Sequence, residues 1–267
     1  MEWMNPKSMT ERHDARTRIV VISMADAAER RTRFEQRARN TPIAWSFYPA
    51  RTSLHSALIY DERAAIVAKG RPLRPGELGV YSSHYAIWQD LQSDSVDQYV
   101  VLEDDVIVDW NFLAKLAEVN LAAMGISYLR LYYKFPVRAS VVKENFLERA
   151  RSIVELDGTA FGAQGYIITK AGARIFLDHC RIVSRPIDDE IERTWVHGLP
   201  NLSVFPFPIM EESGASTIGS ARFEAFVVPR DLKLKRLVTH RLERWRRDAS
   251  TVIRRLQRFR ARQWPKA

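Results

Sequence analysis

The chain has 267 residues, 46% of them hydrophobic, and a single cysteine, Cys180, so it can bury a large core without staples and cannot form an intramolecular disulfide. Its net charge of +9 belongs to the end of the chain: residues 230–267 hold 14 Lys and Arg against 3 Asp and Glu, a net of +11, which leaves −2 for the rest. No run of about 18 apolar residues offers a bilayer-spanning helix, and Met1 to Arg18 lacks the apolar stretch of a secretory signal. A reducing, cytoplasmic location is the expectation.

Thr17 to Ser23 (TRIVVIS) is rich in β-branched residues and predicts a buried strand; Asp26 then offers a helix cap, with Glu29 three places on. Ala44 to Ala50 predicts a second strand and Leu58 to Gly70 a helix. Pro75-Gly76 breaks the chain before a helix from Glu77 to Leu91, where Leu78, Tyr81, Tyr85, Trp88 and Leu91 form one apolar face. Gln98 to Leu102 (QYVVL) is short and continuously apolar, as a central parallel strand is. Strands follow at Ile126 to Tyr133 and Gly165 to Ile168, helices at Lys170 to His179 and Asp189 to His197, and an edge strand at Asn201 to Pro208. This alternation gives an α/β domain over residues 17–229 with a mostly parallel sheet flanked by helices, after a polar extension, 1–16.

In the basic tail, 230–267, Leu234, Val238, Leu242, Trp245, Ala249, Val252, Leu256 and Phe259 recur at intervals of three and four and predict a basic amphipathic helix. Three partners suit such a stripe: an anionic membrane surface, the body of the protein, or its copy in a homodimer. Nucleic acid is not expected, because no recognised binding module accompanies the charge.

Glu103-Asp104-Asp105 follows the central strand, and ligands of open α/β sheets gather at the carboxyl ends of strands. Adjacent carboxylates beside a buried strand need compensation by water or a cation. Mn²⁺ or Mg²⁺, held by one or two carboxylates and by substrate phosphates, is one reading; a solvated strand end is the other. Arg30 and Arg31, at the start of the first helix, either reach a diphosphate on the same edge or belong to a solvated face. His84 either serves the donor and its carboxylates or fastens helix to sheet. Gly162 and Gln164 mark a close ligand approach or a tight turn. Asp188, with Asp189 beside it, is a helix cap or a general base.

Four segments taken in order, IVVISMADAAERRTRF (Ile19 to Phe34), LRPGELGVYSSHYAIWQDL (Leu73 to Leu91), YVVLEDDVIV (Tyr99 to Val108) and AFGAQGYIITKAGARIF (Ala160 to Phe176), resemble glycosyltransferase family 25, the lipooligosaccharide and lipopolysaccharide galactosyltransferase-like proteins. With Arg185 to Asp188 and Trp195 to Ile218 the likeness runs over roughly residues 18 to 220. The resemblance implies a GT-A type fold with a Rossmann-like nucleotide-binding half, and an inverting transfer from a UDP-sugar, commonly UDP-galactose, to a cell-surface glycan such as lipooligosaccharide. It puts the acidic triplet where that fold carries its Asp-X-Asp motif, with Asp105 on the metal and Glu103 beside it, nearer the ribose. Arg30, Arg31, Asp104, His84, Gly162 and Gln164 are then the candidate donor residues, and Asp188 is the base with Asp189 in reserve. A lipid-linked acceptor would match a tail on the inner face of the cytoplasmic membrane. A metal-dependent nucleotidyl- or phosphotransferase, and a non-catalytic glycan- or membrane-binding protein on the same fold, stay open.

Overall fold

A computed structural model describes residues 16–212 and 226–263, with side chains to Leu256. The polar extension up to residue 15, residues 213–218 of the likeness and the side chain of Phe259 lie outside the described residues.

Strand β1 (Thr17–Ser23) is covered on both faces, Ile19 and Val21 entering one core and Val20 and Ile22 the other, which is why its apolar run is continuous. Helix α1 (Ala28–Arg37) has no side-chain cap, so Asp26 does not cap it. A turn closed by Ala27 N and Met24 O at 3.2 Å holds Asp26 outside the helix. After β2 (Trp45–Pro49) the expected helix starts late, because Ile59 and Tyr60 form a short strand, β3 (Ile59–Tyr60), paired with Ile182 and Val183. Helix α2 (Glu62–Lys69) begins after Asp61, whose Oδ1 accepts from Ala64 N at 2.9 Å. Pro75 opens α3 (Pro75–Ser93), where a missing N–H costs nothing, and so does not break the chain. Glu77 accepts from Arg74 N at 2.9 Å and from both Arg71 Nη atoms at 2.8 and 2.7 Å, a structural role.

The chain continues through β4 (Gln98–Glu103), β5 (Val106–Val108), α4 (Trp110–Ala117), β6 (Tyr128–Arg130), β7 (Arg138–Lys143), β8 (Ser152–Asp157), β9 (Gly165–Thr169), α5 (Lys170–His179), β10 (Ile182–Val183), α6 (Ile187–Ile191), α7 (Thr194–His197), β11 (Leu202–Phe205), β12 (Ile209–Glu211) and α8 (Arg230–Gln263). The large sheet has the order β2-β1-β4-β9-β6-β11-β8-β7. Pairs β1/β2, β1/β4 and β6/β11 are parallel; β4/β9, β6/β9, β8/β11 and β7/β8 are antiparallel. Two short pairs, β3/β10 and β5/β12, stand beside it. Tyr81, Trp88 and Phe176 from α3 and α5 pack one face, and Phe34, Phe112 and Leu116 from α1 and α4 the other. Cys180 is buried in the first of these cores. The protein is therefore an α/β sheet flanked by helices with a further helix at its carboxyl end.

Two further expectations change. Asn201 to Pro208 yields β11, which is internal and not an edge, because β8 and β7 extend the sheet beyond it. The edge is β7, whose Arg138 and Lys143 are charges that an outermost strand tolerates. The single helix expected from Asp189 to His197 is two, α6 and α7, since Glu192 between them turns inward to a fully buried cation. That cation is Arg130 of β6, whose Nη2 lies 2.8 Å from Glu192 Oε1. Its Nε donates to Asn201 Oδ1 at 2.9 Å and its Nη1 to the carbonyls of Phe161 and Gly162 at 3.1 and 2.7 Å.

Helix α8 meets the body through its polar side. Leu232 packs with Ile66 and Val67, and Arg236 donates to the Val67 carbonyl at 3.0 Å, closing the end of α2. Glu243 takes both Nη atoms of Arg185 at 3.2 and 3.0 Å, and Arg254 donates to the Thr194 and Leu199 carbonyls at 2.9 and 3.3 Å. The apolar stripe faces away, so the body is not its partner.

Removing one member of a buried ion pair strands the other charge. Arg130→Ala should lower unfolding stability by about 3–5 kcal/mol, read as a urea midpoint shift; a loss under about 1 kcal/mol would show that Glu192 finds water instead.

Candidate active site

β1 and β4 run parallel, with Ile22 opposite Glu103, so the triplet stands at the carboxyl edge shared by two central strands. Its three carboxylates have different surroundings. Asp104 is 5% exposed; its Oδ2 accepts from Ser23 Oγ at 2.7 Å and its Oδ1 lies 3.4 Å from Arg30 Nη1. Burial pushes its carboxyl up, against the pull of Ser23 and Arg30. Arg31 binds the same hydroxyl: its Nε donates to Ser23 Oγ at 3.0 Å, and its guanidinium sits 4.8 Å from the centre of the Phe47 ring. Asp104 and Arg31 thus fasten α1 to β1, while Arg30 keeps a partly exposed cation beside the triplet.

Glu103 is partly exposed, and His84 Nε2 lies 3.9 Å from its Oε1. His84 itself is fully buried on α3. Trp88 Nε1 can only donate, so the Tyr166 hydroxyl oxygen accepts from it at 3.0 Å. The hydroxyl proton is then available to His84 Nδ1, 2.9 Å away, and this network assigns the ring proton to Nε2, facing Glu103. His84 Nε2 itself makes no hydrogen bond. The ring both ties α3 to β9 and turns an N–H toward a carboxylate.

Asp105 is the uncompensated member. Its Oδ1 is buried without a hydrogen-bond partner, and burial, helped by the charges of Glu103, Asp104 and Glu211, pushes its carboxyl up to about 7. Glu211 comes from β12, which pairs with β5, and Glu212 N donates to the Asp105 carbonyl at 2.7 Å. A bound cation would relieve this crowding, and oxygen donors of this kind suit Mn²⁺ or Mg²⁺. No group of three or more His, Cys, Asp or Glu among the described residues is already arranged to hold a metal. The orphaned Asp105 oxygen, with Glu103 beside it, could supply one or two protein oxygens to an ion that completes its shell from phosphate.

Gly162, with φ of +95°, lets the loop before β9 turn back; a Cβ there would come within 2.8 Å of Gln164 Oε1. The Gln164 carbonyl accepts from Glu103 N at 2.8 Å, and its buried Oε1 has no partner. Asp188 and Asp189 form a second cluster at the head of α6. Lys69 binds Asp189, whereas Asp188 makes no ion pair among the described residues; its Oδ1 accepts only from Asp189 N, at 3.0 Å. Burial and the neighbouring Asp189 push the Asp188 carboxyl up to about 6. The two clusters are joined through Arg130, which bonds the Gly162 carbonyl and whose charge reaches Asp188.

Arg30, Glu103, Asp104, Asp105, His84 and Gln164 therefore share one edge, with Arg31 and Gly162 as its supports. Sequence reasoning missed Glu211 and Arg130. The available signals were a second acidic pair closing an apolar segment (Met210-Glu211-Glu212) and a lone arginine inside one (Tyr128 to Leu131).

Residues 16–191 match the family described as glycosyltransferase family 25 (LPS biosynthesis protein). The lipooligosaccharide biosynthesis protein lic2B of Haemophilus influenzae is 25% identical over 170 residues, 61% of this chain and 64% of that one. Two human proteins are similar over shorter stretches. Procollagen galactosyltransferase 2 is 28% identical over 39% of this chain and 17% of its own length. Inactive glycosyltransferase 25 family member 3 is 31% identical over 40% of this chain and 18% of its own. The chain thus spans less than a fifth of the human relatives.

The raised Asp105 carboxyl has a measurable consequence in the metal-free protein. Between the usual aspartate value, about 4, and about 7, the folded state binds more protons than the unfolded one, so stability falls as pH rises through that window. Asp105→Asn should raise the calorimetric midpoint at pH 8 and barely change it at pH 4; equal midpoints at pH 8 would mean that the carboxylate is solvated.

Proposed function

The chain belongs to glycosyltransferase family 25, and on that premise we propose that it transfers galactose from UDP-galactose to a cell-surface glycan of the lipooligosaccharide kind, inverting the anomeric carbon. The observation that carries the reading is the orphaned, buried Asp105 oxygen on the carboxyl edge of the central strands, beside a half-exposed Glu103 and a cationic Arg30. The names of the Haemophilus and human relatives support the acceptor class and the sugar respectively. A lipid-linked acceptor fits an enzyme working at the inner face of the cytoplasmic membrane.

In this reading Asp105 and Glu103 would hold Mn²⁺ or Mg²⁺, which supplies neutralisation of the departing diphosphate. Arg30 gives the diphosphate a second positive partner, and Glu103 accepts from the ribose hydroxyls. The Gln164 amide offers the sugar both a donor and an acceptor. Asp188 takes the proton of the acceptor hydroxyl as that oxygen bonds to the anomeric carbon; the bond from this carbon to the diphosphate breaks, and UDP leaves with the electron pair. Attack opposite the leaving group inverts the carbon. Asp189, held by Lys69, is the poorer base, since its charge is already paired.

UDP release from a panel of UDP-sugars with an oligosaccharide acceptor and Mn²⁺ tests this. UDP-galactose should be preferred, a chelator should stop release, and kcat/KM should rise with pH through about 6 as Asp188 ionises. Asp188→Asn should lower kcat by about 10²–10⁴-fold. Pyrophosphate or phosphate as product would assign the site to nucleotidyl or phosphoryl transfer, and no turnover of any donor would leave a glycan-binding protein.

A further inference from the structure

The contacts of α8 leave its unusual face open. Leu234, Val238, Leu242, Trp245, Val252 and Leu256 are 44–70% exposed, and their spacing puts them on one side of the helix. Lys235, Arg241, Arg244 and Arg246, all exposed, border that side. The arginines that bind the body do so from the opposite side: Arg236 and Arg254 donate to carbonyls of α2 and α7, and Arg247 to the Thr159 hydroxyl. The acids of α8 are also engaged, Asp231 with Arg63, Glu243 with Arg185 and Arg193, and Asp248 with Arg247. The open face is thus an aliphatic stripe with one central indole, edged by unbalanced positive charge.

We propose that this face of α8 docks on an anionic lipid bilayer. The aliphatic side chains and Trp245 enter the boundary between headgroups and acyl chains, and the bordering Lys and Arg extend to the lipid phosphates. Charge selects the bilayer over a second copy of the chain: pairing two such faces would set rows of Lys and Arg against their like, with no free acid to answer them. At about 1.5 Å per residue the 34-residue helix is long enough to rest flat along the surface. Among the described residues no helix is apolar enough to cross a membrane. The docked helix is strapped directly behind α6: Glu243 pairs with Arg185 and Arg193, and both of these pair with Glu190 in α6 at 3.3 and 2.7 Å. Docking therefore sets the helix that carries Asp188 close to the lipid.

The full chain, floated with vesicles of phosphatidylcholine alone or mixed with phosphatidylglycerol, tests the surface. It should float with the anionic vesicles only and be released by high salt. Trp245→Ser and Leu242→Ser should each weaken binding about tenfold, and Arg241→Glu or Arg246→Glu about fivefold per unit of charge removed. These side chains face away from the body, so circular dichroism and the thermal midpoint should not change. Absence of flotation by the wild type, or equal flotation by the variants, would overturn the proposal. So would a dimer in light scattering that Trp245→Ser dissolves, which would give the face to a second copy. UDP release with a water-soluble acceptor reads the transferase separately, so failure of one reading leaves the other standing.

Discussion

Arg130 is the constraint on which the rest of the structure depends. A fully buried guanidinium at the end of β6 has to be answered inside the protein, and the answer reorganises three segments at once. Glu192 is drawn inward, which ends α6 and separates it from α7. Asn201 is held at the entrance to β11. The carbonyls of Phe161 and Gly162 are pulled onto the cation, and two residues on, the Gln164 carbonyl fixes the backbone of Glu103. An ion pair of this kind contributes little net stability over an apolar substitute, yet breaking it is costly. Its value here is geometric: the same group positions the edge that carries the acidic triplet and the helix that carries the candidate base.

Around that frame, like residues receive unlike surroundings. Asp104 is paired with Ser23 and Arg30 and becomes structural; Asp105, one residue on, is half-buried with its buried Oδ1 unanswered. Asp189 is neutralised by Lys69, whereas Asp188 is not, and its carboxyl rises to about 6. In both pairs the environment gives one chemistry two different surroundings, and in the proposed reaction that difference would separate a metal ligand from a brace and a base from its neighbour.

Much of this was legible in the sequence wherever burial leaves a periodic or continuous apolar pattern. β1 and β4 are covered on both faces and read as unbroken apolar runs; α3 shows its stripe through Tyr81, Tyr85 and Trp88. β7 and β8 were not legible, because Arg138, Ser140 and Lys143 interrupt the first and Glu155 the second, and without them β11 looked like an edge. Of the site, the triplet, His84, Gln164 and Asp188 stood out by position. Glu211 and Arg130 did not, since their meaning comes from strands that pair across long stretches of chain. The stripe of α8 was plain from its spacing. Which side of it meets the body was not, because that depends on backbone carbonyls of α2 and α7 that only the folded chain brings under Arg236 and Arg254.

The central claim is that Asp105 receives a divalent ion together with a nucleotide diphosphate. Anomalous diffraction at the manganese edge, from crystals grown with Mn²⁺ and UDP, tests it most directly. The expected result is a manganese peak in bonding contact with an Asp105 oxygen and with diphosphate oxygens, on the side of the triplet where Glu103 is exposed. UDP bound with no manganese at Asp105, or manganese held elsewhere, would contradict it.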